Sequence, residues 1–232
     1  MSEGPGTVTA MERGTLEAVV GAERRALADD LRSLTDTDWA RESLCTGWSV
    51  EDVVAHLGSA MTIGTIGWMR SILGAGLRPA VHNRRQLERF RGATPQDTVH
   101  RFAALGTAEG EPVRMPTRDP VPWLGEIVVH GEDVRRPLGI DHVYSPEGLI
   151  RVAEFFAGRD YAVNSRSQIK RLRLRATDAR FTANDDPGLP LVEGPLLELV
   201  MVMAGRRAYL DGLAGTGVPE LSRRLGSAAG SG

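Results

Sequence analysis

Cysteine occurs once in the 232 residues, at Cys45, and lysine once, at Lys170. A single thiol rules out an internal disulfide, and such sparing use of cysteine fits a reducing, cytoplasmic setting. The positive charge is carried by arginine instead. The 28 basic residues are outnumbered by 30 acidic ones interspersed nearly everywhere, for a net charge of -2, so no basic stripe offers itself to nucleic acid. One short alternating basic run, Lys170 to Arg175, fits the outer face of a strand. Long apolar runs are missing too: the longest weakly polar stretch, Ala60 to Met69, holds two Gly and two Thr and falls far short of the roughly 20 residues that cross a bilayer. Residues Met1 to Gly14 lack a basic start and an apolar core, which predicts neither a signal nor a transit peptide.

What is present is the composition of a globular protein, 41% hydrophobic and 25% charged, able to bury a core. The length suits one ordinary domain plus a smaller one, with a boundary expected between residues 143 and 144. The first part reads as four helices. Leu16, Val19, Val20, Leu27, Leu31 and Leu34 form one stripe over Met11 to Leu34. Glu23 interrupts that stripe and is expected to turn aside to Arg24 or Arg25, ahead of the alternative that it points into a polar centre of the bundle. Ser49 caps a second helix running to about Leu73, with Asp52 closing an acidic capping box. After the break at Gly74 to Pro79 and a short amphipathic segment, Gln86 to Arg91, Thr94-Pro95 opens a third helix reaching Leu105. Asp119-Pro120 opens the fourth, which Pro137 ends.

The second part, residues 144–225, starts with a helix at Ser145-Pro146 reaching about Asp160. Strand patterns follow at Lys170 to Thr177, Ala179 to Asn184 and Pro190 to Glu193. Gly194-Pro195 then opens an apolar helix in which Met201 and Met203 suit a core, and a short segment spans Val218 to Leu225. The tail, residues 226–232, is expected to be disordered.

The chemistry gathers on the fourth helix. Glu126 and His130 stand four residues apart, so both side chains leave one face and can grip one ion. Apolar neighbours (Trp123, Leu124, Ile127, Val128, Val129) place that helix inside, where an unpaired carboxylate is expensive. The pair alone is weak evidence, because with 30 acids and five histidines such spacing arises by chance about half the time. It gains weight from His56, which shares the inward face of the second helix with Val53, Ala60 and Ile63. In an up-down-up-down bundle the second and fourth helices run parallel, so these ligands reach one depth. His82, His100 and His142 have no companion at ligand spacing.

CTGWSVEDVVAHL (Cys45 to Leu57), EIVVHGEDVRRPLG (Glu126 to Gly139) and, more weakly, VEGPLLELVMVMAGRRAYLDGL (Val192 to Leu213) resemble the mycothiol-dependent maleylpyruvate isomerase family, DinB-like metalloenzymes. The resemblance implies an α plus α/β fold, a DinB-like four-helix bundle followed by a small, sterol-carrier-like α/β domain. It implies a divalent metal, usually zinc, held by His56, Glu126 and His130, and mycothiol as thiol cosubstrate. Two imidazoles and one carboxylate leave an open position, the pattern of a catalytic site, where a thiol would ionise and attack a small electrophile. The outcome would be S-transfer or cis-trans isomerisation. Asp133 would hold an imidazole or a cofactor hydroxyl, against an ordinary pairing with Arg136. Arg135 and Arg136 match the family's D-V-R signature and would meet an anionic substrate or the cofactor, against a solvated helix end that favours cations anyway. Trp48 would pack beside the site against the cofactor. Cys45 precedes the cap of the second helix, and in relatives the reactive sulfur belongs to the cofactor. Two other classes stay open: a non-catalytic ligand-binding module braced by its metal, and a zinc-dependent hydrolase, which lacks an obvious general base here.

Overall fold

The structure, a computed structural model, describes residues 10–114, 117, 119–161 and 163–228. The chain divides after Val143 into two compact units.

The first unit contains α1 (Ala10–Asp30), α2 (Asp36–Ala40), α3 (Val50–Thr62), α4 (Gly64–Gly74), α5 (Pro79–Phe90), α6 (Pro95–Ala104) and α7 (Val121–Leu138). Four of these close a ring: α1 packs on α6 and α7, and α3 packs on the same two. Within this ring each helix therefore has two neighbours, and α3 and α7 lie side by side. Leu27, Leu31, Val53, Leu57, Phe102, Ile127 and Val134 fill the middle, almost completely buried, each such aliphatic side chain contributing about 1.5–3 kcal/mol of transfer free energy. Arg24 reaches across from α1 to donate to the last carbonyls of α6, those of Phe102 and Ala103, at 2.7 and 3.0 Å. It satisfies a helix end that would otherwise be orphaned.

Local chemistry sets the helix starts. Ser49 accepts from the Asp52 N–H at 3.2 Å while Asp52 accepts from the Ser49 N–H at 3.1 Å, the reciprocal box the sequence predicts. The same box forms at Thr94 with Asp97 and, unforeseen, at Thr35 with Asp38, creating α2. Four expectations need correction. α1 ends at Asp30, four residues short of Leu34. The helix predicted from Ser49 to Leu73 is two, because Gly64 takes a positive φ of 61° that no helix continues through, and the Met61 carbonyl accepts the Arg114 N–H at 2.7 Å. The segment expected from Gln86 is the full helix α5. Glu23 turns to neither arginine; it is buried and meets His142 Nε2 at 2.7 Å.

The second unit comprises α8 (Pro146–Gly158), α9 (Ser165–Gln168), β1 (Arg173–Ala176), β2 (Thr182–Ala183), β3 (Leu191–Gly194), α10 (Leu196–Met203), a 3-10 turn (Arg207–Gly212) and α11 (Val218–Ala228). Its sheet has the order β2-β1-β3, antiparallel on one side and parallel on the other, with Leu174 opposite Val192. Alternation decides the faces: Leu174 and Val192 are fully buried, while Arg175 and Glu193 point outward and pair. α10 packs on α8, and Met201 and Met203 lie in that core. Part of the expected disordered tail is helical, since α11 continues through Ala228; residues 229–232 and the predicted leaderless start, 1–9, lie outside the described residues. Among the described residues no helix is long and apolar enough to cross a membrane.

Candidate metal centre

α7 begins at Val121, whose N–H is accepted by the Asp119 side chain at 3.0 Å, and ends at Gly139 in the left-handed conformation, φ 68°, where glycine carries no Cβ penalty. Pro137 stands in its last turn. Lacking an N–H, it leaves the Asp133 carbonyl without its helical donor, and that carbonyl accepts the Leu44 N–H instead, at 3.0 Å. The loop ahead of α3 is thereby latched onto α7. Ser43 tightens the loop, its Oγ donating to the Trp48 carbonyl at 2.9 Å and accepting from the Cys45 N–H at 3.1 Å. A proline near the end of one helix thus fixes what faces the start of another.

Between α3 and α7 lie His56, Glu126 and His130, each offering a ligand atom within 4.8 Å of the others. His130 is two-sided. Its Nε2 lies 3.3 Å from Glu126 Oε2, and its Nδ1 lies 2.9 Å from Asp133 Oδ2. Asp133 has no exposed side-chain surface. A carboxylate can only accept, so Nδ1 carries hydrogen there and Nε2 is left turned toward Glu126 and His56, the arrangement that orients an imidazole for a cation. His56 Nδ1 is buried with no hydrogen-bond partner among the described residues, a state that costs about 1–3 kcal/mol unless something meets it. The donor set and this orphaned nitrogen fit one divalent cation.

The electrostatics of the two imidazoles diverge. Burial, reinforced by the neighbouring His130, pushes His56 down to about 4. Burial also works against charge on His130, but hydrogen bonds to Asp133, Cys45 and Glu126 outweigh it and hold its pKa well above the ordinary value. His56 is thus neutral at neutral pH, while His130 holds a proton more tightly than an ordinary imidazole.

Other nominated residues are distributed unevenly. Trp48 sets its ring edge-on against His56, with centroids 5.0 Å apart. Arg136 is exposed at the end of α7. Arg135 has no exposed side-chain surface and holds Asp30 of α1 at 2.8 Å, tying α7 to α1. Cys45 comes closer than expected, its thiol donating to Asp133 Oδ2 at 3.0 Å and lying 3.6 Å from His130 Nδ1. The sequence signals this only once Pro137 is read as freeing a carbonyl. His82, given no role by spacing, is buried and bonded to Ser71.

With this geometry in place, comparison with known proteins is informative. Residues 20–135 match the family model described as the mycothiol maleylpyruvate isomerase N-terminal domain. Two solved structures resemble the chain: a mycothiol-dependent maleylpyruvate isomerase with one histidine changed to alanine, TM-score 0.55, and the mycothiol-dependent maleylpyruvate isomerase, TM-score 0.50. Each is 17% identical over 89% of this chain and 92% of the other. At that identity the likeness is one of fold, a helical bundle followed by a small α/β unit. No curated protein sequence matches.

Proposed function

This chain belongs to the mycothiol maleylpyruvate isomerase family, and from that premise we propose that it is a cytoplasmic enzyme in which His56, Glu126 and His130 hold one divalent cation, zinc by donor chemistry, and mycothiol attacks a small electrophile. The observation that carries the reading is the cluster itself, two imidazoles and a carboxylate within 4.8 Å, one ring nitrogen orphaned and the other ring fixed by Asp133. Three protein ligands leave a coordination position open, which favours catalysis over bracing. When bound, the cation supplies the positive charge that ionises a thiol at neutral pH and polarises an oxygen of the electrophile.

The residues of the chain divide the remaining work. Asp133 holds the His130 tautomer. The latched loop keeps Trp48 against His56, excluding water from one flank, and Arg136 offers its charge to the anionic or hydroxyl groups of mycothiol or substrate. Once the sulfur has added to a conjugated double bond, the former double bond rotates as a single bond, and expulsion of the sulfur restores the alkene in its trans form. That is isomerisation of a maleylpyruvate-like acid, with no net change in atoms. If the sulfur is retained and the carbon takes up a proton, the outcome is S-transfer.

Metal content and thiol binding test the proposal together. Protein purified without an affinity metal and then offered zinc should hold about one ion per chain, His56→Ala far less, and Glu126→Ala should lose thiol addition. Zinc-loaded protein that neither binds mycothiol nor loses activity on Glu126→Ala would overturn it.

A further inference from the structure

Most of the large apolar side chains left open to solvent are gathered on one helix and the turn after it. Among the described residues, five of the eight fall within twelve positions: Ile66 at 76%, Trp68 at 45%, Met69 at 53%, Leu73 at 63% and Leu77 at 67% exposed. Single exposed apolar residues are ordinary, but a contiguous patch marks a surface that meets something. The helix carrying the first four, α4 (Gly64–Gly74), buries none of its residues. Its inner side is taken up by α5: Ser71 Oγ lies 2.9 Å from His82 Nδ1, and the Trp68 ring meets the His82 ring edge-on with centroids 5.9 Å apart. Ile66, Met69 and Leu73 recur at three- and four-residue steps on the opposite side, with Leu77 in the turn that follows. Side chains this open form a ridge, about 16 Å long for the 11 residues of the helix.

Positive charge surrounds the ridge. Acids are interspersed through most of the chain, yet residues 64–91 hold six arginines and one acid, Glu88, in a protein of net charge -2. Arg91 is taken up by Glu51 and Asp52. The other five, Arg70, Arg78, Arg84, Arg85 and Arg89, are exposed and form no ion pair among the described residues. Arg85 marks the border between the helices, donating to the Gly74 carbonyl at the end of α4 at 2.9 Å, and Arg89 stands one turn further along the same edge of α5. Arg70 lies in α4 itself, and Arg78 joins the two helices. This charge selects the occupant. A second copy would set the arginines against themselves, and a phosphate backbone alone would leave the aliphatic ridge uncovered. Aliphatic side chains with a tryptophan at their flank and unpaired cations around them match a surface that is anionic at its top and apolar a few ångströms down. We propose that α4 is a peripheral docking surface for an anionic lipid bilayer. Ile66, Met69, Leu73 and Leu77 enter the boundary between headgroups and acyl chains, Trp68 lies at headgroup level, and Arg70, Arg78, Arg85 and Arg89 hold lipid phosphates. The helix lies in the interface plane and does not cross it. This surface depends on neither the metal nor the thiol.

Vesicle binding by the zinc-loaded full chain tests it. Extruded vesicles of phosphatidylcholine alone, or with an equal share of phosphatidylglycerol, are offered at about 0.1 M salt, and partition is read by cosedimentation and by Trp68 emission, with Trp68→Phe subtracting the other tryptophans. Partition into the anionic vesicles should exceed that into the neutral ones by at least about tenfold, fall with added salt, and bring a blue shift that Trp68→Phe lacks. Arg78→Gln and Arg89→Gln should each weaken it about fivefold, the effect of one arginine near an anionic leaflet. Ile66→Glu combined with Leu73→Glu should abolish it and, both positions being exposed, leave the thermal midpoint and zinc content at the parental values. No partition into anionic vesicles, equal partition into neutral ones, or undiminished partition of the doubly substituted variant would overturn the proposal. Sedimentation velocity on the same proteins identifies the rival occupant: a parental dimer that Ile66→Glu with Leu73→Glu makes monomeric, without vesicle binding, would give the ridge to a second copy, and capture of an acidic protein without vesicle binding would give it to that partner.

Discussion

Metal uptake at pH 7 should release about one proton per chain, nearly all of it from His130. Burial and the neighbouring His130 set the His56 pKa to about 4, so in the metal-free protein this ring is already deprotonated and gives up almost nothing. His130 is the opposite case. Burial opposes its charge, yet the hydrogen bonds it makes with Asp133, Cys45 and Glu126 raise its pKa well above the ordinary value, so it brings more bound proton to the reaction than an ordinary imidazole. Two unperturbed imidazoles, with pKa of about 6.5, would together release roughly half a proton. Calorimetric titration of zinc into metal-free protein, repeated in buffers of different ionisation enthalpy, counts the protons. The sign of the pH dependence follows. Below the raised His130 pKa, affinity climbs about tenfold per pH unit, and it levels off above; the depressed His56 pKa adds a second proton only as pH falls toward 4. Asp133→Asn should reduce the release and weaken zinc binding by about 10–100-fold above the His130 pKa. Release near half a proton or none at pH 7, or affinity flat between about pH 6 and 7, would refute this reasoning.

Pro137→Ala restores an N–H that competes with Leu44 for the Asp133 carbonyl; amide exchange at Leu44 should accelerate by about tenfold or more while α7 gains helical protection, and unchanged exchange would show that the latch does not depend on the proline. At Gly58, an added Cβ would overlap the Phe90 ring across the α3–α5 contact, so Gly58→Ala should cost about 1–3 kcal/mol, read as a lowered midpoint of denaturation. Arg135→Ala should destabilise the first unit by about 1–3 kcal/mol through the lost charge-assisted bond to Asp30 while KM is unchanged wherever the variant remains folded. A raised KM at unchanged stability would return Arg135 to the substrate.

Much of the fold was legible because its signals are local. Ser49 with Asp52, Thr94 with Pro95 and Ser145 with Pro146 announce helix starts within four residues, and Arg–Leu alternation marks β1. The failures arose where a local pattern is overruled. Gly64 sits in an apolar run whose period continues past it, so nothing in the period reports that φ turns positive. α5 carries an unbroken polar run across its middle, His82 to Gln86, and its helix is held by packing on α3. Glu23 finds His142, 119 positions on, a partner no local rule reaches. In the candidate site, Glu126 and His130 are visible through i, i+4 spacing and His56 through its inward face. The approach of Cys45 depends on a carbonyl freed by Pro137, which is not a property of spacing.

The centre joins a local pair to a distant residue, and this gives it an order in time. During synthesis His56 emerges alone, on a helix whose neighbours do not yet exist, and a single imidazole holds a cation weakly. The 74 residues separating it from His130 take roughly 4–15 s to translate at typical rates. Leu44 likewise waits for the Asp133 carbonyl, so the loop docks only when the far end of α7 has left the ribosome. Capture at the full three-ligand site thus falls after translation of this unit.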